Sequence, residues 1–332
     1  MKKNNKRGFA ILAVLLTILL VFAGCGTGVS SGDPASGNNT SGDSVQEQQD
    51  QNAEGSTETP TVTITIPGVD ADNFPRIDGS TAVMPLLAGL YSRALGISVE
   101  DSEAMVTVSG GTGAVWRNLI WDGADLLIVY EAPENIKEEL ESEGLELEID
   151  PIGRDGLVFL VNKSNPVEDL SVLQLQDIYT DKIIDWKDVG GTPGPISAFQ
   201  RNAESGSQTL FLKLLMDGIE PADPPIELVM SSMSGLIEEV AAFDGSGGAI
   251  GYSVFYYADL MFANPDLKLL AVDGVQPSND SIQNGDYPLV NDFYIVIRAD
   301  EPEDSPARLL RDWFLTDEGT ALLVAENYVS VR

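Results

Sequence analysis

The apolar and polar positions between residues 61 and 130 predict strands that alternate with helices. TVTITIP, residues 61–67, alternates as a strand does. The next apolar residues recur at helical spacing, and they are Met84, Leu87, Leu90, Tyr91 and Leu95. The segment that begins at Ala104 repeats the plan with a short strand, a Gly-rich turn, a short helix and a buried strand from Asp125 to Tyr130.

Two later apolar runs, GLVFLVN and DFYIVIR, are short and rich in β-branched and aromatic residues, as strands are. The C-terminal segment LLRDWFLTDEGTALLVAENYV is typical of amphipathic helices. Strands that alternate with helices in this way predict an α/β fold with mostly parallel sheets.

The N-terminus has the layout of an export signal. Four basic residues within the first seven positions precede an uncharged apolar run from Phe9 to Phe22, which is short for a membrane span. Ala23-Gly24-Cys25 follows and resembles a bacterial lipobox, although Phe22 stands where that motif usually has an aliphatic residue. We expect residues 1–24 to be a signal peptide and Cys25 to be lipidated. A cleaved signal or an uncleaved anchor with an incidental cysteine is the alternative.

Residues 25–60 are mostly Gly, Ser, Asn, Gln and acidic residues, with almost nothing apolar to bury. Such a composition cannot offset the entropy lost on ordering. The sequence therefore predicts a disordered tether between a lipid anchor and a folded body that begins at residue 61.

Composition removes several classes of function. The chain of 332 residues has 52 acidic and 19 basic residues, a formal net charge of −33, which repels nucleic acid. It has no histidine, which excludes His-based catalysis and His metal sites. Its one cysteine excludes an intrachain disulfide. We expect no metal, no cofactor and no nucleic-acid partner.

Three turns combine glycine with hydroxyl residues at the predicted start of a helix. They are Asp78-Gly79-Ser80-Thr81, Gly110-Gly111-Thr112-Gly113 and Ser205-Gly206-Ser207. Helix N-termini present unpaired N–H groups and a partial positive charge, so such turns can bind an oxyanion. Each turn alone also fits an ordinary N-cap.

Arg201 lies four residues before the third turn and adds a full positive charge. A guanidinium can donate two parallel hydrogen bonds to a tetrahedral anion. A surface arginine paired with a carboxylate, for example Glu204, is the alternative.

Four segments resemble the phosphate-binding proteins of bacterial phosphate ABC transporters, especially their Gram-positive lipoprotein members. They are RIDGSTAVMPL, PIGRDGLVFLVNKSNPVEDLSVLQLQDIYTDKIIDWKDVGG, FQRNAESGSQTLF and GGAIGYSVFYY. The resemblance implies a two-lobed type II periplasmic-binding-protein fold with the ligand between the lobes. It implies crossings near Pro151-Ile152 and Tyr287-Pro288. Residues 61–152 and 289–332 would then form the first lobe, and residues 153–288 the second.

Carried over position by position, the resemblance also implies a phosphate site. The expected contacts are Ser80, Thr81, Ala82, Thr112, Glu131, Arg201, Ser205, Gly206 and Ser207. Gly111 is the alternative to Thr112 in the second loop. Tyr252 could line the cleft or belong to the core.

Glu131 stands where the family has an aspartate that accepts the ligand's proton, and it is one methylene longer. Phosphate near neutral pH carries a proton and sulfate does not, so an ionised carboxylate would favour phosphate. The alternatives are that Glu131 is an ordinary loop residue or that Asp125 takes this role, although a strand position makes Asp125 more typical of a structural residue.

The sequence and this resemblance together predict a lipid-anchored receptor on the extracytoplasmic face of the cell membrane, and the resemblance implies that it is a monomer. It would capture inorganic phosphate and deliver it to an ABC transporter permease without breaking a covalent bond. The alternatives are another oxyanion or a phosphorylated metabolite as ligand, a sensing role, an exported phosphatase, and a purely structural surface protein.

Overall fold

The computed structural model of the chain describes residues 63–107, 110–243 and 248–332, which form a mixed α/β structure. The predicted signal peptide (1–24), Cys25 and the predicted tether (25–60) lie outside the described residues, so these expectations stay predictions. Within the described ranges no single helix is long and apolar enough to cross a membrane. The consecutive helical segments Thr81–Leu95 and Val99–Met105 are together long and apolar enough to cross a membrane, but they are bent by 120° relative to each other.

The strands and helices follow one another along the chain in alternating groups. The strands are β1 (Ile77–Gly79), β2 (Leu126–Val129), β3 (Leu147–Asn162), β4 (Asp169–Leu170), β5 (Ile196–Ala198), β6 (Gln200–Arg201), β7 (Val229–Met230), β8 (Gly248–Val254), β9 (Leu267–Leu269), β10 (Ala271–Val272), β11 (Val290–Arg298) and β12 (Val329–Ser330). The α-helices are α1 (Met84–Leu95), α2 (Val99–Met105), α3 (Thr112–Ile120), α4 (Glu134–Glu143), α5 (Val172–Tyr179), α6 (Gly206–Leu210), α7 (Met233–Ala242), α8 (Asn279–Gln283), α9 (Pro306–Phe314) and α10 (Asp317–Ala325). Short 3-10 segments are Thr81–Val83, Trp186–Val189 and Ile226–Leu228, and π-helical turns are Phe211–Met216 and Tyr256–Met261.

The central sheet has the strand order β1-β2-β11-β3-β8-β5, and β9 and β12 also pair with β3. The long strand β3 joins the two ends of this sheet. Its residues 147–156 pair with β11, and its residues 157–161 pair with β8. One continuous strand therefore connects the β1-β2 side of the sheet with the β8-β5 side.

The α/β prediction is confirmed, but the prediction of mostly parallel sheets is wrong for the central sheet. Among its strands in the described ranges, only β1 with β2 and β5 with β8 run parallel. The strand β11 is antiparallel to both β2 and β3, and β3 is antiparallel to β8. Alternation of helices and strands does not fix strand direction, and here two long strands, β3 and β11, run against their neighbours at the centre.

The strand predicted at residues 61–67 is also wrong in its described part, residues 63–67. That part contains only an isolated bridge between Ile66 and Val69. Residues 104–107, the described part of the short strand predicted next, contain the end of α2 and no strand. The predicted helix after Ser80 and the predicted strand near residues 125–130 are confirmed as α1 and β2.

Side chains from both faces of the sheet form two buried apolar clusters. The larger one includes Leu86 and Leu87 of α1 together with Phe159, Tyr252 and Phe293 of three central strands. A smaller cluster packs α3 and α4 against β2 and β11, and its members are Val115, Trp116, Leu119, Ala124, Leu127, Val129, Ala132, Ile136 and Val296. These clusters hold the first turns of α1 and α3 close to the end of β2.

Candidate functional site

A cavity of about 220 Å³ lies where several helix starts converge at the ends of β1, β2 and β6. Pockets for drug-sized ligands are usually larger, roughly 300–1,000 Å³. The lining includes eight of the nine expected contacts: Ser80, Thr81, Ala82, Thr112, Arg201, Ser205, Gly206 and Ser207. The sequence therefore identified residues that converge in space, and their contact with a ligand stays a prediction.

The hydroxyl groups of the cavity are close together and come from distant parts of the chain. Ser80 Oγ lies 3.3 Å from Thr112 Oγ1, and Ser205 Oγ lies 3.0 Å from Ser207 Oγ. All three serines are less than 6% exposed. Each of these hydroxyls can donate or accept a hydrogen bond, so the cluster can rearrange around an anion.

The helical segments that begin at the cavity differ from others in their caps. Ser80 and Ser205 occupy N-cap positions, yet neither side chain accepts a capping hydrogen bond. Ser171 and Ser305, by contrast, cap α5 and α9 in the usual way, with the side chain accepting from a backbone N–H. The simple N-cap alternative is therefore wrong for Ser80 and Ser205, whose hydroxyls contact other hydroxyls instead.

The second turn begins α3 without a side-chain cap because its N-cap residue is glycine. Gly111 has φ of 116°, a conformation that disfavours residues with a Cβ atom. Both Gly111 and the expected residue Thr112 line the cavity, so the two alternatives for the second loop are neighbours in the same wall.

Arg201 is nearly buried, with 8% of its surface exposed, and it has no carboxylate partner among the described residues. Its Nε donates to Met230 O at 3.1 Å, and its two terminal nitrogens donate to Ser231 O and Ser207 Oγ, each at 3.3 Å. The alternative of a surface arginine paired with Glu204 is wrong, because Glu204 pairs with Arg117.

Burial lowers the pKa of Arg201 to about 10, because desolvation disfavours the charged form. At neutral pH the group is still cationic. A buried cation that is held only by carbonyl and hydroxyl oxygens is an unfavourable arrangement unless an anion joins it. The cavity therefore presents a positive charge that an anionic ligand would compensate.

Two buried hydrogen bonds fix the position of the Arg201 backbone. Its N–H donates to Tyr252 Oη at 3.0 Å and to Gln208 Oε1 at 3.1 Å. Tyr252 itself is fully buried, donates to Gln208 Oε1, and does not line the cavity. Of the two alternatives for Tyr252, the core is correct, and its hydroxyl supports the arginine from behind.

The loop after Arg201 packs directly on the start of α3. A Cβ atom at Gly206 would lie 2.5 Å from Thr112 Oγ1, closer than side chains tolerate. The N–H of Gly113 donates to Glu204 O at 3.0 Å. Glycine at position 206 is therefore what lets the second and third turns meet.

Glu131 is the one expected contact that does not line the cavity. Its carboxylate accepts from Lys137 Nζ at 3.0 Å and from Lys213 Nζ. Burial alone would raise the pKa of Glu131, but the bonds from Lys213 and Lys137 outweigh burial and hold this pKa below its usual value. A role for Glu131 as acceptor of a ligand proton stays a prediction, and these ion pairs argue against it.

Asp125, the second candidate for that role, is an ion-pair residue outside the cavity. Its carboxylate accepts from the Arg76 side chain, with Arg76 Nη2 at 2.5 Å, and from the Arg76 backbone N–H at 2.8 Å. The structural interpretation of Asp125 therefore fits its position.

Sequence reasoning missed one whole wall of the cavity. Its residues are Ser231, Ser232, Met233, Ser234, Val254 and Tyr257. The sequence SSMSG at the start of α7 carries the same Gly and hydroxyl signal as the other three turns and could have been identified by it. Parallel pairing of β6 with β7 places Arg201 opposite Met230 and so brings Ser231 beside the arginine.

A buried carboxylate lies directly behind the cavity wall. Asp155 in β3 accepts from Tyr130 Oη at 2.7 Å, from Gly156 N at 2.8 Å and from Tyr256 N at 3.2 Å. Burial raises the pKa of Asp155 to about 6, despite the hydrogen bonds that favour its charged form. Asp155 thus links the cavity residue Tyr130 to the segment that follows β8.

The lining offers a small oxyanion one guanidinium, the hydroxyls of ten residues and backbone amides at several helix starts. Among the described residues no group of three His, Cys, Asp or Glu side chains is arranged to hold a metal ion. The chemistry of the lining is that of binding, since the cavity presents donors and a fixed positive charge.

The chain as a whole is similar to several known proteins. Residues 42–318 match the family described as PBP superfamily domain. The phosphate-binding protein PstS of Bacillus subtilis is 28% identical over 214 residues, which cover 64% of this chain and 66% of that protein. The PstS of Staphylococcus epidermidis strain RP62A is 27% identical over 266 residues, which cover 76% of this chain and 78% of that protein.

Two solved structures are similar to the fold. One is a phosphate ABC transporter substrate-binding protein from Clostridium perfringens with bound phosphate, at 26% identity and a TM-score of 0.56, covering 77% of this chain and 98% of that one. The other is an ABC-type phosphate transport receptor from Vibrio cholerae, at 25% identity and a TM-score of 0.56, covering 76% and 98%. The expected periplasmic-binding-protein fold is thereby confirmed.

Proposed function

The chain belongs to the PBP superfamily, and from this premise we propose that it captures inorganic phosphate and delivers it to an ABC transporter permease. The single observation that carries the proposal is Arg201, a buried cation without a carboxylate partner among the described residues, set in a cavity of hydroxyls. The PstS names of the relatives and the phosphate bound in the Clostridium perfringens structure agree with this ligand.

The proposed contacts come from two opposite sides of the cavity. Ser80, Thr81, Ala82 and Thr112 would meet the anion from one side, and Arg201, Ser205, Gly206 and Ser207 from the other. Backbone amides at the helix starts would add donors, and Arg201 would supply the full charge. Glu131 would keep its ion pairs with Lys137 and Lys213 and would not contact the anion.

Phosphate would be enclosed by closure of two lobes, residues 61–152 with 289–332 and residues 153–288. The long strand β3 supports this division, since it pairs with β11 before residue 157 and with β8 after residue 156. An anion that contacts both lobes only when they are closed would stabilise the closed form. Binding tighter than 1 μM corresponds to about −8 kcal/mol.

The receptor would act outside the cytoplasm as a monomer anchored by lipid at Cys25. The basic start, the apolar run and Ala23-Gly24-Cys25 support this location. The tether over residues 25–60 would give the folded body reach to a permease in the same membrane. No covalent bond would be broken at any step.

A competition experiment tests the ligand. Purified protein, stripped of phosphate, is equilibrated with radiolabelled phosphate and challenged with sulfate, phosphonates, phosphorylated metabolites and unlabelled phosphate. We expect unlabelled phosphate to displace the label at the lowest concentration. Tighter binding of another anion would replace phosphate as the ligand, and steady turnover of a phosphoester would favour a phosphatase.

A further inference from the structure

Glu204, which lies between Arg201 and Ser205 in the anion-binding loop, does not face the cavity. Its carboxylate accepts from the two terminal nitrogens of Arg117 at 2.7 and 2.8 Å and from Asn135 Nδ2 at 3.0 Å. Arg117 belongs to α3 and Asn135 to α4. The loop that holds the anion is therefore tied to two helices on the other side of the cavity.

The partners of Glu204 are themselves held in place. Glu139 of α4 accepts from Arg117 Nε at 2.9 Å and from Arg117 Nη2 at 2.6 Å, so one guanidinium serves two carboxylates. Arg117 is only 20% exposed, whereas Glu204 is 44% exposed. A bidentate pair with a preformed arginine is stronger than a typical flexible surface pair.

A second bridge joins the same two parts of the chain a few residues later. Lys213, in the π-helical turn that continues α6, contacts the Glu131 carboxylate and donates to Asn291 Oδ1 at 3.1 Å. Glu131 follows β2, and Asn291 lies near the start of β11. Both ends of the α6 segment are thus fastened across the cavity by charged side chains that do not line it.

We propose that Glu204 and Lys213 form a clasp that closes the protein over its anion. In this clasp Glu204 binds Arg117 and Asn135. Lys213 binds Glu131 and Asn291. This inference rests on the proposed function, because it assigns the two halves of the clasp to the two lobes. Glu204 acts as a positioning residue. It brings the Arg201 loop against α3 and makes no contact with the ligand.

The clasp determines affinity through the population of the closed form. A contact that exists only in the closed form shifts the equilibrium between forms by its own free energy. Loss of the clasp therefore leaves the anion contacts intact but makes the binding-competent form rarer. The clasp also gives a role to Glu131, whose carboxylate binds Lys213 and not the ligand.

The chain offers a matched control within one lobe. Arg93 donates to Glu326 at 2.6 Å, and the two side chains are 24% and 21% exposed. Both residues belong to the proposed first lobe, so this ion pair stabilises the fold without crossing the cleft. Arg93→Met should lower the melting temperature without changing phosphate affinity.

The first measurement is phosphate affinity in the purified full chain, Glu204→Gln, Lys213→Met and Arg93→Met. We expect Glu204→Gln to raise the Kd about fivefold, the effect of one well-oriented ion pair on closure. Lys213→Met should also raise the Kd, and it provides the test if Glu204→Gln does not fold. A Kd within twofold of wild type for both clasp variants would overturn the inference.

The second measurement does not depend on the ligand. Spin labels at Glu143→Cys and Glu220→Cys, both exposed positions, report the distance across the cleft in a Cys25→Ser background. In ligand-free protein, Glu204→Gln should move the distance distribution to longer values, and Arg93→Met should leave it unchanged. An unchanged distribution in Glu204→Gln would overturn the clasp.

The two measurements separate the inference from the proposed function. Wild-type protein that fails to bind phosphate would overturn phosphate capture, whereas the spin-label distances would still decide the clasp. Wild-type protein that binds phosphate, together with clasp variants of wild-type affinity, would leave phosphate capture in place and remove the clasp.

Discussion

Replacement of Arg201 by methionine should leave the ligand-free protein almost as stable as wild type, although Arg201 is buried and makes three side-chain hydrogen bonds. Methionine keeps the unbranched apolar stem of the side chain and removes the guanidinium with its charge. The expectation follows from two opposing contributions, each of which can be worked out from the structure.

Burial lowers the pKa of Arg201 to about 10. At 1.36 kcal/mol per pKa unit, this lowering corresponds to about 3 kcal/mol of unfavourable free energy for the charged form in the folded state. The three lost hydrogen bonds, which are 3.1–3.3 Å long, contribute about 1 kcal/mol each, the central value for a protein hydrogen bond. The two contributions nearly cancel, so the free energy of unfolding should change by less than about 1 kcal/mol.

Urea denaturation with and without phosphate measures both parts of this prediction. Phosphate at 100 times its Kd should stabilise wild type by about 2.7 kcal/mol and should not stabilise Arg201→Met. Arg308→Met is a suitable control, because Arg308 pairs with Glu148 at 2.8 Å and its loss should lower stability by about 2 kcal/mol.

The reasoning about Arg201 would be refuted by the opposite pattern. A decrease of more than about 3 kcal/mol in the free energy of unfolding of ligand-free Arg201→Met would show that other groups already compensate the cation in the folded protein. Undiminished stabilisation by phosphate in the same variant would show that the guanidinium does not hold the anion.

Three further predictions concern residues around the cavity. Glu131→Gln should leave the preference for phosphate over sulfate unchanged within about threefold, because its carboxylate is bound by lysines; a tenfold loss of preference in competition titrations would restore the proton-acceptor role. Gly206→Ala should weaken phosphate binding at least tenfold in calorimetry, since its Cβ would lie 2.5 Å from Thr112 Oγ1, and wild-type affinity would contradict the close approach. The raised pKa of Asp155, about 6, means that the folded state holds a proton that the unfolded state has lost, so the contribution of Asp155 to wild-type stability should fall by up to about 3 kcal/mol between pH 4 and pH 7. Asp155→Asn should flatten this part of the pH profile in chemical denaturation, and an equally steep profile would refute the assignment.

The sequence predicted the parts of the site that depend on local structure. Glycine and hydroxyl residues before a helix are a short-range signal, and this signal identified Ser80, Thr112 and Ser205. The spacing of Arg201 from Ser205 is also local. These features are determined by neighbours along the chain, so they can be read without the fold.

The parts that were missed depend on pairing between distant segments. Ser231 and Tyr257 join the cavity because β6 pairs with β7 and because the segment after β8 returns to the same edge. The antiparallel course of β3 and β11 is likewise a property of the whole sheet. The direction of the Glu131 side chain depends on Lys213, which is 82 residues away.

Calorimetric titration of phosphate into phosphate-stripped wild type and Arg201→Met tests the central claim most directly. We expect saturable one-to-one binding to wild type with a Kd below about 1 μM, and no detectable heat of binding in the folded variant. Absence of binding to folded wild type, or equal affinity in Arg201→Met, would contradict it.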